Sequence, residues 1–286
     1  MKEIFREYFA ELPRKKQINY RRKYEMVKKF ETIKFEIEEK VAWITINRPE
    51  RRNALSRQVW QDIMNALQSV EHNNDVRVIA MTGTDPAFSA GLDIKEMSTA
   101  GFGGLADFLG ILLDPNEVML RYPKPMIAAV NGAAYAGGLE LTLFCDAAIA
   151  SEKAVMGFWE NRRGLASGLA MILLPEMIGL RNTKEMLFTG KIYNAQEAKE
   201  LGLVNKVVPH DQLHDAVMDL AREMCKVAPL SHKVTKRWFF EGKHLSPVKA
   251  IGTLWEVFQT LFHSEDVIEG FTAFMEGNRE PVWKGK

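Results

Sequence analysis

The stretch KPMIAAVNGAAYAGGLELTLFCDAAIAS, residues 124–151, carries the pattern that organises the whole chain. PMIAAVNG (125–132) is a short, continuously apolar run that stops at glycine. GGLELTLF follows as an apolar helix holding one acid, Glu140, and DAAIASE (146–152) is apolar again. Uninterrupted apolar runs of this length suit strands buried on both faces, with helices packed between them. Glycines at a strand-to-helix junction allow a tight turn and bring backbone N–H groups close to a ligand. A helix N-terminus at that point favours negative charge.

Upstream, VIAMTGTDPAFSAGLDI repeats the same order of strand, Gly turn, aromatic, Ala-Gly and Leu-acid, so one supersecondary idea is used twice. Ser89-Ala90-Gly91-Leu92-Asp93 then offers the same device as Tyr135-Ala136-Gly137-Gly138. Two N–H donors converging from separate loops make an oxyanion hole; glycines at these places equally suit helix–sheet packing alone. Further out, FETIKFEIEEKVAWITINRP reads as two short strands joined at Glu38-Glu39-Lys40 and ended by Pro49. Leu55 to about Glu71 has helical apolar spacing, with Ser56 as its N-cap. The stretch 97–123 starts Gly-rich and turns apolar, which suits a mobile wall over a pocket or an ordinary loop and helix. Helical patterns are expected over 183–190, 195–201, 211–227 and a long C-terminal region. The organisation expected is a basic extension (1–30), an α/β core (31–210) and a helical region (211–286).

The chain has 286 residues, 47% hydrophobic and 26% charged, the mix of a globular protein with room for a large core. A formal net charge of +1 excludes a whole-protein basic field, so no nucleic-acid partner is expected. No apolar window is long enough for a transmembrane helix, and no membrane partner is expected. Two cysteines, Cys145 and Cys225, cannot make a disulfide framework, which fits a reducing, cytoplasmic setting. Residues 1–30 hold ten Lys/Arg and four Glu. That segment reads as a solvated extension, a polyanion-binding arm, or a targeting segment interrupted by Glu3, Glu7 and Glu11.

Nucleotide-binding glycine motifs and the G-x-S-x-G nucleophile elbow do not occur in the sequence. His210 and His214 are four apart, yet no third ligand lies near them in sequence, and no metal is expected. Glu140 and Glu160 are the informative acids. A carboxylate in apolar surroundings has a raised pKa and can give or take protons near neutrality, and a pair of them can position one water. Each is also readable as a salt-bridged or surface glutamate.

NRPERRNAL (47–55), AFSAGLDIKEM (87–97), the 124–151 stretch, TGKIYNAQEAKELGLVNKVVP (189–209) and FMEGNREPVWKG (274–285) together closely resemble the crotonase family, the enoyl-CoA hydratases and isomerases. The resemblance runs from about residue 31 to the C-terminus. It implies an α/β fold, a crotonase-like spiral of ββα turns followed by a C-terminal helical trimerisation region. It implies an acyl-CoA thioester substrate of fatty acid metabolism, with coenzyme A belonging to the substrate and no separate cofactor. It also implies a homotrimer or a homohexamer built as a dimer of trimers. By motif position, the N–H groups of Leu92 and Gly137 form the oxyanion hole. Ala90 and Leu92, Asp93, Ile94 and Lys95 line the CoA path, Ala54 and Leu55 border the adenine end, and Trp159 and Gly168 border the acyl group. Hydratases of the family carry two catalytic glutamates, matched here by Glu140 and Glu160; isomerases commonly keep only the second. The implied activity is therefore hydration of the 2,3 double bond of an enoyl-CoA. Isomerisation, hydrolysis of a cyclic acyl-CoA, or a crotonase-fold RNA- or partner-binding role stand as alternatives. The chain departs from the resembled pattern after Glu160, where Ser167 replaces a proline, Ala170 and Met171 replace a glycine pair, and Trp159 replaces a proline. These changes point to a reshaped acyl pocket, with a ring-bearing acyl group as one expectation. Arg162 and Arg163 can meet a carboxylate on the acyl group, the CoA phosphates or solvent.

Overall fold

In a computed structural model, residues 30–99, 113–242, 245–277 and 279–286 are described. The basic extension up to residue 29 and residues 100–112 of the expected wall lie outside the described residues. Thr32–Lys286 form one unit.

The unit opens with an antiparallel hairpin, β1 (Ile33–Glu38) and β2 (Val41–Ile46), whose turn sets Glu39 at φ 52°. Helix α1 (Arg57–Val70) follows, with the Ser56 hydroxyl accepting from the Val59 N–H as the expected N-cap. Three turns of the chain then repeat long strand, short strand and helix. They are β3 (Val78–Gly83), β4 (Ala87–Ser89) and α2 (Ile94–Thr99); β5 (Met126–Val130), β6 (Ala133–Tyr135) and α4 (Gly137–Leu143), preceded by α3 (Leu113–Leu120); and β7 (Ala147–Ser151), β8 (Val155–Gly157) and α5 (Gly168–Ile178). The chain continues through α6 (Leu180–Thr189), β9 (Tyr193–Asn194), α7 (Ala195–Leu201) and β10 (Lys206–Val208). It ends in α8 (Leu213–Cys225), α9 (Pro229–Arg237), α10 (Pro247–Phe262) and α11 (Glu265–Met275).

Among the described residues the long strands form a six-stranded sheet in the order β1-β2-β3-β5-β7-β10, parallel except for the hairpin. The short strands form a second sheet, β4-β6-β8-β9. β2 is buried along nearly its whole length and β1 mostly is not, because β1 is the sheet edge and β2 is covered on both faces. One face packs Val41, Trp43, Val78, Ala80, Ile127, Ala129 and Ile149 against Leu213, Val217, Met218 and Ala221 of α8. Helix α1 buries Val59, Ile63, Ala66, Leu67 and Val70. Lys124 donates from Nζ to the carbonyls of Val70, Asn73 and Val76, closing the end of α1 over the start of β5. Among the described residues no helix is long and apolar enough to cross a membrane.

The segments that follow β3 and β5 cross at close backbone contacts. A Cβ on Gly132 falls 2.2 Å from the Pro86 carbonyl oxygen, and one on Gly138 falls 2.4 Å from that of Ser89. Only glycine lets the β3–β4 and β5–β6 corners approach this closely.

Candidate active site

The two Gly-turn segments meet. β4 and β6 are parallel neighbours, with Ala87 opposite Ala133 and Ser89 opposite Ala134. After β4 the chain passes Gly91 at φ 92°, where a Cβ would lie 2.8 Å from the Tyr135 carbonyl oxygen and 3.3 Å from the Gly137 nitrogen. Leu92 then pairs with Leu55, with the Leu55 N–H donating to the Gly91 carbonyl at 2.8 Å and the Asp93 N–H to the Leu55 carbonyl at 3.0 Å. A Cβ on Gly137 would touch Leu92 at 3.4 Å and Leu55 at 3.7 Å. The structure therefore brings Leu55, Leu92 and Gly137 to one place. Among the described residues neither the Leu92 N–H nor the Gly137 N–H meets an acceptor within the chain.

Side chains behind these loops hold them. Asn53, fully buried at φ 56°, accepts the Arg48 N–H on Oδ1 and donates from Nδ2 to the carbonyls of Thr84 and Ala87. Arg48 donates to the Ala54 carbonyl at 2.6 Å and pairs with the Asp93 carboxylate at 3.0 Å. Burial would raise the Asp93 carboxyl, but Arg48 and the amides of α2 hold it below the ordinary range. Ala90 is half-buried, and Ile94 and Lys95 point into solvent beyond this loop.

Glu140 sits one turn into α4 from Gly137. Its Oε1 accepts the N–H groups of Leu169 at 3.1 Å and Ala170 at 3.4 Å, the first turn of α5. Glu160 lies on a 3-10 turn, Trp159–Arg163, and its Oε1 receives the Ser167 hydroxyl at 2.5 Å. Among the described residues its Oε2 is buried without a hydrogen-bond partner. Burial pushes both carboxyls above the ordinary range. For Glu140 the amides of α5 oppose that rise, and the Glu160 charge adds to it. For Glu160 the Ser167 hydroxyl opposes it. Each glutamate is thus poised to hold a proton nearer neutrality than a free side chain does.

The remaining expectations separate. Trp159 is 40% exposed, and the guanidinium groups of Arg162 and Arg163 lie 5.0 and 5.6 Å from its ring centre. Arg162 also donates to the Thr189 carbonyl. A Cβ on Gly168 would meet nothing within 4 Å, so that position is open. His210 and His214 go to different partners: His210 to Ser151 and Asp85, His214 to Glu38 and onto the Trp43 ring. Sequence reading did not single out Asn53, Asn161 or the amides of Leu169 and Ala170. For Asn53 the available signal was a polar residue, able to adopt positive φ, between Arg52 and an apolar helix.

The stacked sheets, the spiral of ββα turns and the loop crossings define a crotonase-fold protein of the enoyl-CoA hydratase type. The sequence profile of the enoyl-CoA hydratase/isomerase family matches residues 36–286, and the chain belongs to that family. It is 33% identical over 253 residues to the enoyl-CoA isomerase/hydratase fer4 of Mycosarcoma maydis, covering 85% of this chain and 92% of that protein. It is 34% identical over 255 residues to the crotonyl-CoA hydratase of Syntrophomonas wolfei, covering 86% and 96%. The solved enoyl-CoA hydratase of Bacillus anthracis superposes with a TM-score of 0.85 at 31% identity, over 90% of this chain and 100% of that one.

Proposed function

We propose that this enzyme adds water across the 2,3 double bond of an enoyl-CoA thioester. The observation that carries the reading is the pair of partly buried glutamates, both with raised pKa: Glu140, one turn along α4 from an N–H that meets no acceptor among the described residues, and Glu160, on the Trp159–Arg163 turn. In this reading the N–H groups of Leu92 and Gly137 bind the thioester oxygen and stabilise the enolate-like charge as it forms. Each donor lowers the barrier by about 3–4 kcal/mol by the measure of other oxyanion holes. Glu140, ionised, takes a proton from the water that attacks C3. Glu160, protonated, delivers a proton to C2. The two share one water, so the pair titrates as a unit. Ala54, Leu55, Ala90, Asp93, Ile94 and Lys95 flank the CoA chain, and Trp159 and Gly168 the acyl end.

The test is the loss of conjugated-thioester ultraviolet absorbance with crotonyl-CoA, for wild type and for Glu140→Gln and Glu160→Gln. Rapid loss in wild type and a 10²–10⁴-fold fall in each variant support hydration. Product analysis separates the second reading, isomerisation, which the isomerase/hydratase name of the Mycosarcoma maydis relative keeps open. No turnover of any 2-enoyl ester refutes the proposal.

The C-terminal helices suit the homotrimer expected above. Trp255, Phe258 and Phe262 on α10 and Phe271 and Phe274 on α11 are exposed on the single chain, a larger apolar display than a monomer ordinarily keeps. Sedimentation of the purified protein as a monomer at micromolar concentration refutes that assignment; a trimer or hexamer supports it.

A further inference from the structure

Ser167 is 3% exposed and faces two oxygens. Its Oγ lies 2.5 Å from Glu160 Oε1 and 2.8 Å from Asn161 Oδ1. A serine hydroxyl has one hydrogen and two lone pairs, so it donates to one of these oxygens at a time. The orientation of the Asn161 amide is fixed, because its Nδ2 donates to the Leu187 carbonyl at 2.7 Å. Oδ1 therefore faces Ser167 and can only accept. When Glu160 is ionised, Ser167 donates to it, and the Asn161 oxygen confronts an Oγ lone pair. When Oε1 is protonated, Glu160 donates to Ser167 and Ser167 donates to Asn161, so the three oxygens that face one another, Oε1, Oγ and Oδ1, are joined without a clash of lone pairs.

We propose that Ser167, oriented by Asn161, is a positioning residue for Glu160: its hydroxyl reverses direction as the Glu160 proton leaves and returns, and the trio favours the protonated acid. Proline, the residue of the resembled pattern at this place, can neither donate nor accept through its side chain. The other charged groups near Glu160 are accounted for. Glu140, on α4, is the nearby acid whose own proton the Glu160 charge favours. Arg162 and Arg163 share its turn and lie over the Trp159 ring. Arg181, Lys184 and Glu185 of the packed α6, and Glu176 of α5, are exposed.

The kinetic half of the test rests on the hydration reading; the spectroscopic half does not. In Ser167→Ala, kcat falls about ten-fold, the equivalent of one hydrogen bond, with KM little changed. Ser167→Thr keeps the hydroxyl and restores the rate. In Asn161→Ala the hydroxyl is released to the ionised carboxylate. The Glu160 pKa falls, and the alkaline limb of kcat/KM, which reports loss of the acid, moves down by about one pH unit. Infrared titration of the protonated carboxyl band, assigned with Glu160→Gln, reads the same shift without turnover. A shifted band in an enzyme that hydrates no enoyl-CoA removes the hydration reading and leaves Ser167 in its role. The proposal is overturned if the Asn161→Ala band titrates as in wild type. It is equally overturned if Ser167→Pro folds and matches the wild-type rate and pH profile.

Discussion

Gly138→Ala puts the crossing of the two loops under direct test. The added Cβ falls 2.4 Å from the Ser89 carbonyl oxygen, 2.8 Å from its Cβ and 2.9 Å from its carbonyl carbon. Ordinary contact begins near 3.4 Å, so backbone must retreat by about 1 Å. No flexible side chain can absorb this. Ser89 is in β4, paired with β6, and its hydroxyl bridges the Asn53 carbonyl and the Gly91 N–H. The shift therefore passes into the segment that carries Leu92. Overpacking of this kind costs about 1–3 kcal/mol, or roughly 2–8 °C in Tm for a chain of this size. With Leu92 as the proposed oxyanion donor, misplacing its N–H by about 1 Å costs on the order of 10²-fold in kcat. Initial rates with crotonyl-CoA and a thermal melt measure both. Gly168→Ala, where a Cβ meets nothing within 4 Å, controls the melt and leaves Tm unchanged. Wild-type kcat and Tm in Gly138→Ala refute the reasoning that this contact sets the loop geometry.

Three further outcomes follow from local structure. Glu160 has a raised folded pKa, so its contribution to stability is full below its unfolded pKa and is lost as pH rises through the folded one; Glu160→Gln therefore melts with wild type near about pH 4 and above it at about pH 8. Ala136 sits at φ 51°, ψ −126°, a conformation suited to glycine, and Ala136→Gly relieves strain in excess of the added chain entropy, raising stability by about 1 kcal/mol in a denaturant titration. Lys124→Met strips the donor from three carbonyls at the end of α1 and lowers stability by about 1–3 kcal/mol, read from the urea midpoint.

The parts of the fold legible from sequence are those where one physical demand governs many residues. β5 is apolar throughout, and β3 and β7 nearly so, because both of their faces are covered, and α1 announces itself by its apolar spacing and Ser56. The echo between AFSAGLD and AAYAGGLE also had a spatial meaning, since β4 and β6 are hydrogen-bonded neighbours. The second sheet itself was not foreseen, because strands of two or three residues are too short to show a period. Helix α5 was likewise missed: it contains Pro175 and is apolar on most sides, so it shows no one-sided pattern. Glu140 and Glu160 stood out as acids in apolar stretches. The Ser167–Asn161–Leu187 chain did not, because its contacts depend on how the turn at Trp159–Arg163 folds back toward α5 and α6.

The N–H groups that meet at the loop crossing belong to the main chain. Replacement of the Leu92 side chain leaves its amide in place, so point mutation erodes this device only by moving backbone or by introducing proline. The lining around it is free to drift while these amides persist. On the proposed reading, a lineage can explore new acyl groups by changing positions such as Trp159 and Met171 without first surrendering its hold on the thioester. Semisynthetic replacement of the Leu92 or Gly137 amide by an ester, which deletes a single hydrogen, is the edit that reaches the device directly.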